Sequence, residues 1–422
     1  MRKGSGSGEK PVTNDTILQV IEKNIDESLE ILSGLIAIPS TRGNERGPAG
    51  FLKPRLEPLV DSAELVLIPD PIREDPDYSF PLDGFRYTGE ANLRAAIRGR
   101  RPGRSLAFNT HLDVVPATPG QPEPFRARID DGWIYGRGAC DAKGQAAVLW
   151  LVLKSLADLG LRPGGDVTVD LVVEEECGGN GTLLVQRKGL SADGAIVLEP
   201  TGLDVVHLVR GAVWFEVKAS GVAGHSGSPE TTVSALKEAL EVMKAIERVR
   251  AEILPSSREA VPQIAGHPDP APCTFGMLHS GNWPAAAPDD AVLKGVFGFL
   301  PPFHRQDIQA RLTDAVKPFR AEVRFPMLRS DPSSIPEDHP LTRTLLAACR
   351  DMGLPSAPAF MNASCDSWRY TEGMGIPAVV FGAGSIRTAH GKDERVAVDD
   401  IRKAAAVLIR FIEKWSGLEH VS

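Results

Sequence analysis

The sequence predicts an α/β protein: a mixed, mostly parallel sheet flanked by helices, interrupted by a smaller α+β unit. Three observations carry that expectation. Short apolar runs of strand type, at 105–109 (SLAFN), 167–173 (VTVDLVV), 195–198 (AIVL) and 378–381 (AVVF), alternate with helical segments, as in sheets buried on both faces. The segment 144–159 is apolar almost all round, with Leu149, Trp150, Leu151, Val152, Leu153 and Leu156, so it belongs inside a large protein. The middle of the chain changes to half-exposed alternation, and this marks the second unit.

Taken in order, a first helix is predicted over 15–35, because Ile17, Val20, Ile21, Ile25, Leu29, Leu32 and Leu35 recur mostly every three or four residues. Pro39-Ser40 closes it. A second amphipathic segment, 47–59, is interrupted by Pro54 and Pro58, and the Pro- and Asp-rich stretch 69–84 reads as a loop. The buried helix 144–159 stops at Gly160. The middle begins with a strand at 213–218 (VWFEVK) and a helix at 231–253. Strands at 273–278 and 291–300, a helix at 305–316 and a strand at 321–325 follow. That strand-helix-strand-strand-helix-strand order is a small α+β sandwich. The late strand 378–381 and a final helix over 399–415 return to the first pattern.

Composition excludes several function classes. At roughly 100–200 residues per domain, 422 residues make two or three domains. With 55 acidic against 47 basic residues the net charge is −8, which argues against a nucleic-acid or anionic-membrane binder. No apolar run reaches the roughly 18–20 residues of a membrane helix. The start, Met1 to Gly8, is basic and then Gly/Ser-rich, without the apolar core of a secretory signal, and reads as a flexible tail. Five cysteines without a CxxC pair support neither a disulfide scaffold nor a zinc ribbon, so a reducing, cytoplasmic setting is expected.

The chemistry sits at strand ends. The run SLAFN leads into His111-Leu112-Asp113, VTVDLVV into Glu174-Glu175-Glu176, AIVL into Glu199, and AVVF through a Gly-rich turn to His390. In open α/β sheets, ligands bind beyond the carboxyl ends of the strands, so these residues can converge. Asp141, between glycine-bearing turns and the buried helix, adds a carboxylate whose two oxygens can bridge two ions. Two imidazoles and three carboxylates suit borderline divalent ions, zinc first and cobalt or manganese next. Asp113 is placed to support His111 from behind, since residues two apart on a strand point the same way. Neighbours in an extended chain point oppositely, so the three glutamates cannot all be buried ligands; one division gives Glu176 to a metal and Glu175 to proton transfer. Singly, each residue has a plainer use: Asp141 as a helix cap, Glu174–Glu176 as a solvated charge run, Glu199 as a strand end. Cys140 and Cys177 adjoin proposed ligands and are expected to point away into packing.

The segments THLDVVPA (110–117), YGRGACDAKG (135–144), VVEEECGGNGT (172–182), IVLEPT (196–201), GVAGHSGSP (221–229) and TAHGKDERV (388–396), in this order, resemble the M20 family of dinuclear metallohydrolases. The resemblance implies a zinc-exopeptidase-like catalytic domain, residues 1–208 plus 333–422, and an inserted ferredoxin-like lid and dimerisation domain, 209–332. It implies one ion on His111, Asp141 and Glu199 and a second on Asp141, Glu176 and His390, with Glu175 as general base and Asp113 as the supporting carboxylate. It implies a homodimer in which His225 reaches the partner's site and stabilises the oxyanion. The implied reaction is cleavage of an amide C–N bond of a small N-acyl amino acid or related amide. A dipeptidase or carboxypeptidase is the nearest alternative, and an aryl-amine C–N hydrolase a more distant one. A non-catalytic binding protein on this fold would require a decayed site, whereas every ligand is present. The chain departs from the family pattern at Ala285–Pro288, where many members read Asn-x-Val-Pro, and at Gly298, where many carry an Arg for the substrate carboxylate. Asn282, Arg369 and the backbone of Gly384 are the candidate substrate contacts that compensate.

Overall fold

The computed structural model describes residues 12–79, 85–100 and 102–421. The expected flexible tail, Met1 to Gly8, lies outside these residues, as does the end of the predicted loop 69–84. The main sheet has nine strands, in the order Ser62–Leu67, Ala91–Ile97, Val167–Val172, Leu106–His111, Ala195–Val197, Ala378–Val380, Val205–Val209 and Ser333–Ser334, with Pro358–Met361 also paired to Val205–Val209. The four middle strands, from Val167–Val172 to Ala378–Val380, run parallel, and the flanking pairs are mixed. Their register is what matters for the site. His111 is level with Val172, and Asn109 and Val380 are both level with Val197. The chain segments leaving these strands therefore emerge side by side along one edge.

Helices cover both faces. Lys143–Asp158 packs between Asn14–Ile36 and Val398–Ser416 in the largest apolar core. On the opposite face, Tyr370, Cys365, Ile376 and Met361 pack against Val197, Val206 and Val380. The predicted all-round apolar helix is buried on every side from Gly144 to Leu153, and Lys143 just before it is buried as well. The Lys143 ammonium donates to the carbonyls of Leu35 (2.9 Å) and Ile38 (2.7 Å), capping the end of the first helix. Burial holds its pKa down, to about 7.

The chain between Val209 and Ser330 forms a separate five-stranded antiparallel sheet. Its main order is Cys273–Ser280, Asp290–Phe299, Gly211–Ser220, Ala321–Arg324. Helices Ala235–Ala260 and Arg305–Val316 pack on it through Val242, Ile246, Ile308 and Leu312. This is the ferredoxin-like order. The first of these helices differs from its predicted bounds. It starts at Ala235 because the Ser234 hydroxyl caps it, accepting from Lys237 N–H, and it continues through Pro255 to Ala260.

Several elements are absent from the sequence reading. Ser62–Leu67 is a mostly exposed edge strand and Ala91–Ile97 is rich in alanine, so neither shows the apolar run of a buried strand. The helices Asn180–Arg187 and Pro340–Asp351 are short, and Asp70–Glu74 inside the predicted loop is a single 3₁₀ turn.

Leu151 is fully buried at the centre of this packing. Replacing it with Ala is expected to cost about 2–5 kcal/mol of stability, read from the shift in denaturant midpoint at constant m-value.

Candidate metal centre

Each parallel strand delivers one group to the common edge. His111 is the last residue of its strand and is buried. Its Nε2 lies 2.9 Å from Asp141 Oδ1 and 3.8 Å from Glu199 Oε2. His390 Nε2 lies 3.2 Å from Asp141 Oδ2 and 3.0 Å from Glu176 Oε1. Asp141 thus faces one imidazole with each of its oxygens. One donor atom each of His111, Asp141 and Glu176 falls within 4.8 Å of the others. All five residues expected to act as ligands are brought together, in the two groups of three that share Asp141.

The loop carrying Asp141 is held close to the strand ends. Gly138 has φ +85°, and a Cβ there would meet Val114 Cγ1 at 2.7 Å, so only glycine fits the turn. His390 (φ +59°) and Glu174 (φ +60°) occupy the left-handed region without being glycine, an uncommon cost that marks both loops.

The Glu174 turn corrects the physical reason for dividing the three glutamates. They do not alternate along a strand, because the strand ends at Val172. The left-handed residue folds the chain back instead. Glu174 turns inward, where Tyr87 Oη and Asn180 Nδ2 (2.8 Å) donate to it. The backbone N–H groups of Glu175 and Glu176 then donate to the two oxygens of Asp113, at 3.2 and 3.1 Å. Asp113 also lies beyond its strand, so the predicted same-face geometry does not apply. Its main-chain oxygen is 3.0 Å from His111 Nδ1, nearer than its carboxylate at 3.5 Å. Asp113 still backs His111, and its carboxylate anchors the glutamate turn.

Burial dominates the electrostatics. It pushes Glu175 and Glu199 well above the usual carboxylate range and raises Glu176. For His111 burial works the other way, but Glu199, Asp113 and Asp141 outweigh it and lift the imidazole well above 6.5. Hydrogen bonds donated to Asp141 and Glu176 raise His390 to about 10. Asp366, missed as a candidate although it lies three residues before Arg369, is buried and raised to about 6 by that burial. It accepts from Thr182 Oγ1 and acts electrostatically on both Glu175 and Glu199. Cys140 points away as expected: its Sγ faces Ser385 O at 3.4 Å, and burial pushes its thiol to about 12.

The candidate substrate contacts fare differently. Arg369 is fully buried. Its Nη2 donates to Asp77 O (3.1 Å) and Gly178 O (3.4 Å), and its guanidinium stacks on Trp368 at 4.2 Å. It braces the turn after Glu176 and is enclosed, and among the described residues its Nε and Nη1 are buried without a hydrogen-bond partner. The Gly384 turn is tied back into the fold. The Gly384 N–H faces Asp400 Oδ2 at 3.4 Å, and those of Gly382 and Ala383 go to Thr201 Oγ1 and Gln145 Oε1, so the turn's donors are used internally. His225 and Asn282 lie on an exposed ribbon where Gly224–His225 pairs with Ala286–Ala287. Among the described residues, no hydrogen bond or ion pair links either of them to the His111–His390 cluster.

Against known proteins, residues 107–414 match the model of Peptidase family M20/M25/M40. The chain belongs to this family, and it is a metal-dependent hydrolase of the peptidase and amidohydrolase kind. It is 29% identical to an acetylornithine deacetylase of Myxococcus xanthus, covering 78% of this chain and 85% of the relative. It is 24% identical to an N-formyl-4-amino-5-aminomethyl-2-methylpyrimidine deformylase of Bacillus subtilis, with 78% and 84% covered. The fold is shared with an M20 family metallo-carboxypeptidase of Sulfolobus solfataricus, at a TM-score of 0.73 and 19% identity over 93% of this chain and 99% of that one.

The raised pKa of His390 sets a pH test. Its folded value, about 10, lies above the ordinary 6.5, so its ion pairs contribute fully below about 6.5 and are lost as pH rises towards 10. Chelator-treated protein should show a urea midpoint that falls across this interval. Divalent-ion uptake should release protons and tighten with pH over the same range, read by calorimetry in buffers of different ionisation heat. A midpoint flat from pH 6.5 to 10 would contradict the assigned contacts.

Proposed function

We propose that the chain is a dinuclear metal-dependent hydrolase that cleaves the amide C–N bond of a small N-acyl amino acid or related amide. The observation that carries this reading is the pair of three-residue groups, one around each imidazole Nε2, joined by the two oxygens of Asp141. The donor set fits the ions: neutral imidazole and carboxylate, with the neighbouring Cys140 thiol turned into packing. His111, Asp141 and Glu199 would hold one ion, and Asp141, Glu176 and His390 the other. Zinc is the first choice, with cobalt or manganese also matched. Such ions supply electrophilic polarisation of the substrate carbonyl and a lowered pKa for water.

The remaining work falls to the chain. Glu175, half-buried and fixed through its N–H to Asp113, takes the proton of the attacking water and passes it to the leaving nitrogen. His225 accepts from Gly227 N–H at Nδ1 (3.0 Å), so its Nε2 is the nitrogen that donates, and it is assigned to the oxyanion in the partner's site. A homodimer is supported by the exposed apolar side chains of Leu240, Met277 and Leu278, on the helix Ala235–Ala260 and the edge strand Cys273–Ser280. The relatives named as a deacetylase and a deformylase favour acyl-amide substrates over dipeptides.

Glu175→Gln is expected to lower kcat by about 10²–10⁴-fold while two ions still bind and the fold is kept. Parent-like turnover would remove Glu175 as the base. A panel of N-acyl amino acids, dipeptides and aryl amides should show the highest kcat/KM for an N-acyl amino acid, and preference for a dipeptide would shift the reading to a peptidase. His225→Ala should lower kcat while the sedimentation coefficient stays that of a dimer. A fully active monomer would overturn both the partner role and the need for a dimer.

A further inference from the structure

The segments 135–144 and 388–396 bring Asp141 and His390 to the site, and each also carries a buried charge that the reaction above does not use. Arg137 and Glu394 are each only 1% exposed, and their side chains form an ion pair. The two segments are neighbours by strand pairing, since Trp133–Tyr135 runs antiparallel to Arg395–Ala397 with Tyr135 opposite Arg395.

What distinguishes the pair is where its other bonds go. Glu394 Oε1 accepts from three positions of one turn: the N–H groups of Gly138 (2.9 Å), Cys140 (3.2 Å) and Asp141 (3.2 Å). Arg137 Nη2 donates to Thr118 Oγ1 (2.8 Å) and to the carbonyl of His390 (3.4 Å). Thr118 Oγ1 donates to that same carbonyl at 2.7 Å. One ion pair therefore grips the main chain of Asp141 on one side and of His390 on the other. The need for such a grip is visible at His390, whose φ of +59° a histidine rarely adopts unless its surroundings impose it. A buried ion pair is weak grounds for stability, because desolvation offsets its attraction, so the bonds it directs are the better account of its presence.

We propose that Glu394 and Arg137 are positioning residues: through backbone bonds they set the distance and orientation between Asp141 and His390, and so the affinity of the ion position that these share with Glu176. This rests on the dinuclear reading. The test uses the full chain, stripped with chelator, then titrated with zinc by calorimetry and with cobalt by visible absorption. Glu394→Gln keeps shape and an acceptor for the turn but removes the charge facing Arg137. It should weaken one of two ion-binding steps about 10–100-fold and shift the cobalt band, with the other step near its parental affinity. Arg137→Lys, which keeps charge but loses the fork to Thr118 and His390, should weaken the same step. Thr118→Val removes only the half-buried outer link and should weaken that step several-fold even if the two buried variants fail to fold. Parental titrations and cobalt spectrum in Glu394→Gln overturn the proposal, as they do in Thr118→Val if Glu394→Gln is unfolded. A parent protein that takes up no second ion overturns the dinuclear reading, and this proposal with it.

Discussion

Like-charge repulsion at one edge of the sheet is the constraint to which much of this structure responds. Asp113, Asp141, Glu175, Glu176 and Glu199 converge there, with Asp366 behind them, and His111 and His390 are the potential cations that meet them directly among the described residues. Carboxylates packed at low dielectric repel strongly unless each finds donors or a counter-charge. The fold supplies donors one by one: two N–H groups for Asp113, Tyr87 and Asn180 for Glu174, Thr182 for Asp366. Glu175, Glu176 and Glu199 stay raised by burial. The proposed divalent ions complete the charge balance that these donors leave open.

A second theme is shared support. The segment around Asp77 to Ser79 touches both the glutamate turn and the inserted unit. Ser79 N–H donates to Asn180 Oδ1 at 2.9 Å, and Asn180 in turn donates to Glu174. From the inserted unit, Arg305 Nη2 donates to Asp77 Oδ1 at 2.6 Å, and Arg329 donates to Tyr78 O. Arg369 joins them through Asp77 O and Gly178 O. The orientation of the inserted unit and the turn that carries Glu175 therefore lean on the same short stretch of chain. The buried Arg369 has its place in this bracing.

Much of the fold was legible because its signals are local. The apolar runs at 105–109, 167–173, 195–198 and 378–381 are buried parallel strands, and the all-round apolar segment is the central helix. Edge strands such as Ser62–Leu67 escaped notice because exposure removes the pattern that burial imposes. In the site, imidazole and carboxylate groups at strand ends could be found by type and place. The contacts of Arg369 and Gly384 could not, since both depend on partners far away in sequence: Asp77 for the first and, for the turn of the second, Thr201 and Gln145. Arg137 and Glu394 stood inside quoted motifs, but nothing local says that an Arg and a Glu so far apart will pair.

By itself, then, the sequence determined the residue types, the strand ends that deliver them, and the family whose motifs they form. Those properties are carried by short stretches of chain. Tertiary structure alone decided which oxygen of Asp141 meets which imidazole, and how three adjacent glutamates are divided between Tyr87, Asp113 and His390. It also decided that the donors of the Gly382–Gly384 turn are spent internally. Each of these is settled by strand register, by left-handed turns at Glu174 and His390, and by hydrogen bonds between residues distant in sequence. Such contacts exist only once the sheet has assembled, which is why no local pattern encodes them.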